Sequence, residues 1–568
     1  MRRLLRVNLK KKTYAWEELN STYKKYAGHG LITSILFNEM DPKADALGPD
    51  NKLIIAPGLL SGTPFPNANR VSIGAKSPLT GGIKEANSGG TAAKVMAQMG
   101  IAAVVFEDTA DDWTTVKVTK DGATFESASD LVGKGNYDLL NMYNEDYASV
   151  ISIGQAGEKL AKGSSVSIGT SDGHPRMAAR GGIGAVMGSK KLKLMLIDDT
   201  GAGKVEIPED KKTIFREHAK AMSKAIMDFP MTGGLKALGT GVLVNLVDQM
   251  GCAPTKNFRY GRCEGHEKLS GEYMMELSQK RPNFVMTHKC SDGCLVSCSN
   301  IITDENGNLL CASVEYETLA LVGTNCCITD LDAVAKINYI CNDVGVDTME
   351  IGCALAICMD AGLLAWGDGD AAVKLAAEMR EGTERGSMLI EGAQATGEKL
   401  GVTRIPTVKR QAIAGYDPRF LKGTGVTYAT STMGADHTSG NIMPTPDGDY
   451  NPIAQTGQGP ASTFVQRHNT AVDCMGFCLF PYLICCAVPA LYQHINPCAG
   501  IMLGEDVSEN YFIELGADVI NMELKFNETA GITKADDKLP DFFYTEKLDT
   551  CGQVFDVDPK EIEAVHDR

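Results

Sequence analysis

Tryptophan is scarce in this chain, with three among 568 residues, and aromatic residues as a whole make up 7%. Positive charge is also short. Against 71 Asp and Glu stand 55 Lys and Arg, a formal net charge of −16. A nucleic-acid binder needs clustered Lys and Arg to meet the phosphate backbone, so that class is excluded. The N-terminal run Met1-Arg2-Arg3-Leu4-Leu5-Arg6-Val7-Asn8 lacks the apolar core of a secretory leader. The 17 cysteines are therefore not read as a disulfide framework. A cytoplasmic, reducing location is expected, with thiols available for metal or buried as small apolar groups.

Long uncharged runs are missing except one. From 474 to 504 there is no Asp, Glu, Lys or Arg. That length could cross a bilayer. Pro481 and Pro489 would break a spanning helix twice, and nothing polar nearby would satisfy the freed backbone. A deeply buried helical segment is expected there, and no membrane span. What remains is an ordinary globular balance, 43% apolar and 22% charged. At about 150 residues per domain, the length suggests three or four domains.

Residues 1–205 read as β-rich. Strands are expected at 52–58, 100–107 and 192–198, with a hairpin opening at 115–122. From 206 the pattern turns helical, starting with the acids of Pro208-Glu209-Asp210, which suit a helix N-terminus. Amphipathic helices are expected over 330–340 and 371–380. Three domains follow: 1–205, 206–400 and 401–568. No repeat of 20–50 residues stands out.

The strongest local signal is Cys290-Ser-Asp-Gly-Cys294-Leu-Val-Ser-Cys298. Thiolates so spaced can wrap one soft metal centre, an iron–sulfur cluster above all. A zinc site and plain buried cysteines remain open, although zinc usually wants two close pairs. A fourth ligand would be remote, from Cys474, Cys478, Cys485 or Cys486. Two segments echo each other: Asn342-x-x-Gly345-x-Asp347 and Asp473-x-x-Gly476-x-Cys478. In each, a polar group is followed by Gly three residues on and a ligand-type residue five on. Gly would admit close approach while its neighbours bind.

Two glycine loops carry bases. One runs Arg180-Gly181-Gly182-Ile183-Gly184 to Lys190. The other runs from Arg70 through Lys76-Ser77-Pro78 to Asn87-Ser88-Gly89-Gly90. Such loops present N–H groups to phosphate. Neither has the order of a P-loop or of a dinucleotide fingerprint. A phosphate-bearing cofactor of another kind, or ordinary turns, would account for them.

Taken together these residues resemble the tungsten- or molybdenum-dependent aldehyde ferredoxin oxidoreductases. The resemblance covers nearly the whole chain. Its most specific segments are Lys76-Ser77-Pro78-Leu79-Thr80-Gly81, Ala86-Asn87-Ser88-Gly89-Gly90, 181–190, Glu315-Tyr316-Glu317-Thr318, Tyr416-Asp417-Pro418-Arg419 and Asp473-x-x-Gly476-x-Cys478-Leu479-Phe480. It implies a multidomain α+β fold: a β-rich N-terminal domain carrying the cofactor, then two mainly helical domains. It implies a tungsten or molybdenum held by two pterins, with Mg2+ bridging their phosphates. Arg70, Lys76, Asn87, Gly89, Arg180, Gly181, Gly182 and Gly184 would serve the phosphates. Asn342, Gly345 and Asp347 would hold one pterin, and Asp473 and Gly476 the other. Cys290, Cys294, Cys298 and Cys478 would hold a 4Fe–4S cluster that passes electrons to ferredoxin or to a partner iron–sulfur subunit. Glu317 matches the general base and His437 the donor to a carbonyl or oxo oxygen, with Tyr428 and Asp436 behind them.

The chain departs from the family pattern in three places. Cys290 and Cys294 are spaced C-x3-C where the family has C-x2-C. Asn342 stands where Asp is usual. Lys336 replaces a Glu that in some members binds a metal between subunits, so dimerisation by that bridge is not expected. The expected reaction is oxidation of an aldehyde to an acid. The reverse reduction and a purely electron-transferring subunit are the alternatives. If Glu315 and Glu317 lie on a strand, they point to opposite faces.

Overall fold

The computed structural model describes residues 2–444 and 450–566. Its N-terminal part holds two six-stranded mixed sheets. The first contains β1 (Arg3–Asn8), β2 (Thr13–Glu18), β3 (Leu53–Pro57), β4 (Val71–Lys76), β5 (Ile83–Ser88) and β6 (Ile101–Glu107), in the order β2-β1-β6-β3-β4-β5. The second contains β7 (Thr114–Thr119), β8 (Gly122–Ser127), β9 (Ser149–Ser152), β10 (Val166–Gly169), β11 (Pro175–Ala178) and β12 (Leu192–Ile197). Read from its β8 edge, its order is β8-β7-β12-β9-β10-β11.

The two orders are the same topology moved on by six strands. Each sheet has one parallel pair, β1 with β6 and β7 with β12, and every other pairing is antiparallel. The N-terminal part is therefore a structural duplication. Each half closes with a Gly-Gly turn and a short helix before its last strand. Gly89-Gly90 leads to Ala92–Gln98 and β6, and Gly181-Gly182 leads to Ile183–Ser189 and β12. The two glycine loops of the sequence occupy equivalent places in the two halves.

Buried residues explain why the central strands read as continuous apolar runs. Leu53–Pro57 and Leu192–Ile197 are buried throughout, because each sheet is covered on both faces. Leu5, Val7, Val104, Ile151, Ile168 and Met195 share the core of this part. On its other side the first sheet packs against the helix Gly28–Glu39. Ile32, Ile35 and Leu36 meet Val472, Val519 and Phe526 of the C-terminal helices there. The largest core lies in the helical part and centres on Leu331–Val344 and Thr348–Asp360.

The expected strands, the hairpin and both amphipathic helices are present. The uncharged stretch 474–504 is helical but divided, into Leu479–Ala487 and Tyr492–Leu503. Among its described residues Phe477, Ile484, Ile495 and Cys498 are buried as expected, whereas Val488 is 41% exposed. No single helix among the described residues is long and apolar enough to cross a membrane.

Candidate active site

The two echoing segments share one local build. Asn342 lies in the last turn of Leu331–Val344, Gly345 stops that helix at φ +79°, and Asp347 caps the next helix by accepting from Met349 N. Asp473 lies in the last turn of Gln458–Met475, Gly476 stops that helix at φ +70°, and Cys478 stands at the cap position of Leu479–Ala487. The spacing is thus a helix stop followed by a helix start, and the left-handed stop suits glycine. Gly476 also meets Gly58 so closely that a Cβ on Gly58 would lie 1.9 Å from Gly476 N.

Each segment has its own arginine. Arg180 is buried and donates to Asp347 Oδ2 at 3.1 Å, to Ala435 O at 2.5 Å and to Ala412 O. Asp436 and Glu350 stand 3.8 and 4.0 Å from it. Arg70 donates its backbone N–H to Gly476 O at 3.1 Å and its guanidinium to Asn87. Burial opposes the charge on Arg70, but Cys478, Cys290 and Asp473 hold its pKa above the ordinary value.

Around Arg180 the charges interlock. Lys84, 1% exposed, donates to Asp436 Oδ2 at 2.8 Å. Burial pushes the Asp436 carboxyl up, but Lys84 and Arg180 outweigh it and keep the group well below the usual carboxylate range. Burial and Asp347 raise Glu350 to about 7. Gly181 and Gly182 are both left-handed, and a Cβ on Gly181 would strike the Lys84 side chain. Gly184 packs on the Ser165 backbone.

Glu317 and His437 meet beside this centre. Glu317 Oε2 accepts from Gly415 N at 2.6 Å. Its other oxygen is 3.5 Å from His437 Nε2, buried, and without a hydrogen bond. Burial raises the Glu317 pKa, and His437 and the Gly415 N–H only partly offset this. His437 Nδ1 and the Tyr428 hydroxyl are also buried without partners. Glu315–Glu317 is not a strand. Glu315 is extended and precedes a short helix, Tyr316–Thr318. The two acids still diverge. Glu315 accepts from Thr240 Oγ1 at 2.6 Å, Ser313 Oγ at 2.7 Å and Ser299 Oγ at 3.3 Å, next to Cys298.

The cysteine loop joins β13 (Val285–His288) to β14 (Ser299–Thr303). Gly293, at φ +73°, turns it within the longer C-x3-C spacing. Cys290 lies against the first glycine loop: its carbonyl accepts from Gly90 N at 2.7 Å, and a Cβ on Gly89 would meet it at 2.5 Å. Cys290, Cys294, Cys298 and Cys478 lie in one another's electrostatic field. A hydrogen bond from Cys294 lowers Cys290 to about 5, with help from Arg70 and Arg176 against burial. The same bond and burial push Cys294 up. Tetrahedral zinc with 2.3 Å bonds would draw thiolates to about 3.8 Å apart. Among the described residues no three of these sulfurs lie within 4.8 Å of one another. Cys474 is buried in the core, and the side chains of Cys485 and Cys486 lie outside the described residues.

Asn67 was not anticipated, and it ties the cysteine loop to the Cys478 segment. Its side chain accepts from Leu295 N at 3.1 Å and donates to Cys294 Sγ at 3.5 Å. Its carbonyl accepts from Cys478 N at 2.9 Å, and its N–H donates to Gly293 O at 3.2 Å. Its φ of +55° is a conformation Asn tolerates, so the Pro66-Asn67-Ala68-Asn69 turn was the available signal. Two expected residues do not join the centre. Lys76 donates to Pro42 O and Ala44 O at 2.6 and 2.7 Å. The Asn342 amide faces Cys311 at 3.9 Å.

Two family models match the chain. "Aldehyde ferredoxin oxidoreductase, N-terminal domain" covers residues 4–199, and "domains 2 & 3" of the same family covers 217–566. The chain belongs to the aldehyde ferredoxin oxidoreductase family. Among its curated relatives is a tungsten-containing aldehyde ferredoxin oxidoreductase of Thermococcus kodakarensis, 32% identical over 96% of this chain and 92% of that one. One of the same description from Pyrococcus furiosus is 31% identical over the same shares. A solved active-site complex, BamBC of benzoyl coenzyme A reductase with 1,5-dienoyl-CoA, shares the fold. Its TM-score is 0.78 at 18% identity, covering 99% of this chain and 92% of that one. Membership in this family makes the chain an enzyme, and the two duplicated sheets are its N-terminal domain.

Proposed function

We propose that this chain oxidises aldehydes to carboxylic acids at a tungsten bis-pterin centre. The observation that carries the reading is the Glu317–His437 pair. It is half-buried, it keeps two buried polar atoms unpaired, and it stands beside the Arg180 centre. Buried polar groups are nearly always paired in a finished site, so these atoms call for a ligand.

The residues fit the family's cofactor. Two Gly-Gly turns at equivalent places, each with an arginine near it, would take the phosphates of two pterins and a bridging Mg2+. Asp347 and Asp473 would accept from pterin N–H groups. Cys290, Cys294, Cys298 and Cys478 would hold a 4Fe–4S cluster. When bound, the metal centre supplies a two-electron acceptor and the cluster a one-electron exit, to ferredoxin or a partner iron–sulfur subunit.

Glu317 would take the proton from water or from the hydrated aldehyde at its unpaired oxygen. The Gly415 N–H holds the other oxygen and fixes the carboxylate plane. A raised pKa makes Glu317 a better proton acceptor near neutral pH than an exposed glutamate. His437 would donate to the carbonyl oxygen of the substrate, and Tyr428 would offer a second donor. The test is elemental and pterin analysis of the anaerobically purified chain, beside an aldehyde panel with a viologen acceptor. Tungsten, about four irons and dye reduction by an aldehyde are expected. Zinc alone, or no turnover by loaded enzyme, would overturn the reading.

A further inference from the structure

A polar cavity lies beside Asp473, and the chemistry above leaves its His29, Glu85 and Glu523 side chains unused. It is lined by His29, Glu85, Thr432, Thr470, Asp473 and Glu523, among others. One ligand atom each from His29, Glu85 and Asp473 lies within 4.8 Å of the other two. His29 and Glu85 are buried, at 3% and 5% exposure. His29 Nδ1 and Glu85 Oε1 have no hydrogen-bond partner. An acid and an imidazole left in this state are costly unless something pairs with them.

The imidazole is held as a donor. His29 Nε2 is 2.6 Å from Glu523 Oε1. Glu523 also accepts from Thr33 at 2.9 Å and Thr432 at 2.7 Å, so it is fixed as an anion. Burial pulls the His29 pKa down, but Glu523 outweighs it and raises the value to about 9. Both ring nitrogens then carry hydrogen, and Nδ1–H points to no acceptor. On the opposite side, burial and Glu85 push the Asp473 carboxyl up. A carboxyl group keeps an acceptor oxygen in either protonation state, so the cavity offers one N–H donor and two carboxyl acceptors.

We propose that His29 and Glu85 act with Asp473 to read the amino–oxo pyrimidine edge of the pterin on the cluster side. That edge carries an oxo acceptor and two adjacent N–H donors. The carboxyl groups accept from the N–H donors, and His29 donates to the oxo group. Glu523 is a positioning residue, because it keeps His29 charged and oriented. The inference rests on the bis-pterin reading and adds two residues to it. A divalent cation on the same three side chains is the competing occupant. It would have to displace the Nδ1 proton of a histidine that Glu523 keeps protonated.

The test measures pterin, tungsten, iron and divalent metals per chain in wild type, Glu85→Met, Glu85→Gln and His29→Gln. Pterin is released by oxidation and read by fluorescence. In wild type, two pterins per tungsten and about four irons are expected. In Glu85→Met and His29→Gln, pterin and tungsten should fall severalfold, while iron stays near four and reports a folded chain. Glu85→Gln, which keeps one acceptor, should lose less. Full pterin in Glu85→Met and His29→Gln would overturn the proposal. So would loss of a magnesium, manganese, calcium or zinc ion from those variants with pterin unchanged. Wild type without pterin would instead overturn the functional reading and this inference with it.

Discussion

Replacing Glu317 by glutamine changes one carboxylate oxygen to an amide nitrogen and leaves the shape intact. The amide oxygen can still accept from Gly415 N, now at 2.6 Å, and the amide N–H2 can face His437. Folding and cofactor loading should survive, whereas proton abstraction should not. A positioned general base contributes roughly 10²–10⁴ in rate, so kcat should fall by that factor, about 3–5 kcal/mol of barrier. The pH profile supplies a second, independent check. Burial raises the Glu317 pKa above 4.5, so the acidic limb of kcat/KM should lie above the ordinary carboxylate value, with activity lost as pH falls through it. The stability linkage has the opposite sense. Between the unfolded and the raised folded pKa the folded chain binds the extra proton, so Glu317 costs stability as pH rises through that window and above it. Glutamine removes that cost, and the variant should be no less stable than wild type at pH 7. Tungsten and iron content, thermal unfolding and viologen-coupled turnover read all three. Loaded Glu317→Gln enzyme with turnover within threefold of wild type would refute the base assignment.

Asn67→Ala should loosen the proposed 4Fe–4S cluster, since it removes two side-chain hydrogen bonds at φ +55°, roughly 1 kcal/mol each; faster iron loss to a chelator would show it. Gly58→Ala should disrupt the site, because its Cβ would overlap Gly476 N. Gly233→Ala, where a Cβ meets nothing, serves as the control, and tungsten and iron per chain distinguish the two. Asp436→Ala should destabilise the fold by about 3–5 kcal/mol, the cost of leaving a buried lysine unpaired, as read by denaturant unfolding. Asp436 has a depressed pKa, so its stabilising charge is present above the unfolded value and is lost only as pH falls well below it.

The strands and helices were legible wherever burial is two-sided or strictly periodic. Leu53–Pro57 and Leu192–Ile197 announce themselves because every residue is inside. The duplication was not legible. Its two halves share strand order and the place of a Gly-Gly turn, but not a short repeated sequence, and topology leaves no periodic trace in one chain. The helix start at Tyr316 was missed for a related reason. Glu315-Tyr316-Glu317 alternates like a strand, yet the divergence of its acids comes from a change of backbone conformation between them.

The site itself divides along a similar line. Residues whose chemistry is rare could be picked out from spacing alone: three cysteines in one loop, and glycines that stop helices at the left-handed conformation. Residues whose chemistry is common could not. Asn67 is one asparagine among many until the fold sets it between Cys294 and Cys478. His29 lies 494 residues from Glu523 along the chain, yet in space it touches Glu523 at 2.6 Å and shares a cavity with Asp473. Such groups acquire meaning from being buried together without partners. A buried orphan atom is invisible in sequence because its cost depends on what the fold fails to place beside it. That is why the cavity at Asp473, built from ordinary residues, carries information about the cofactor edge that no motif does.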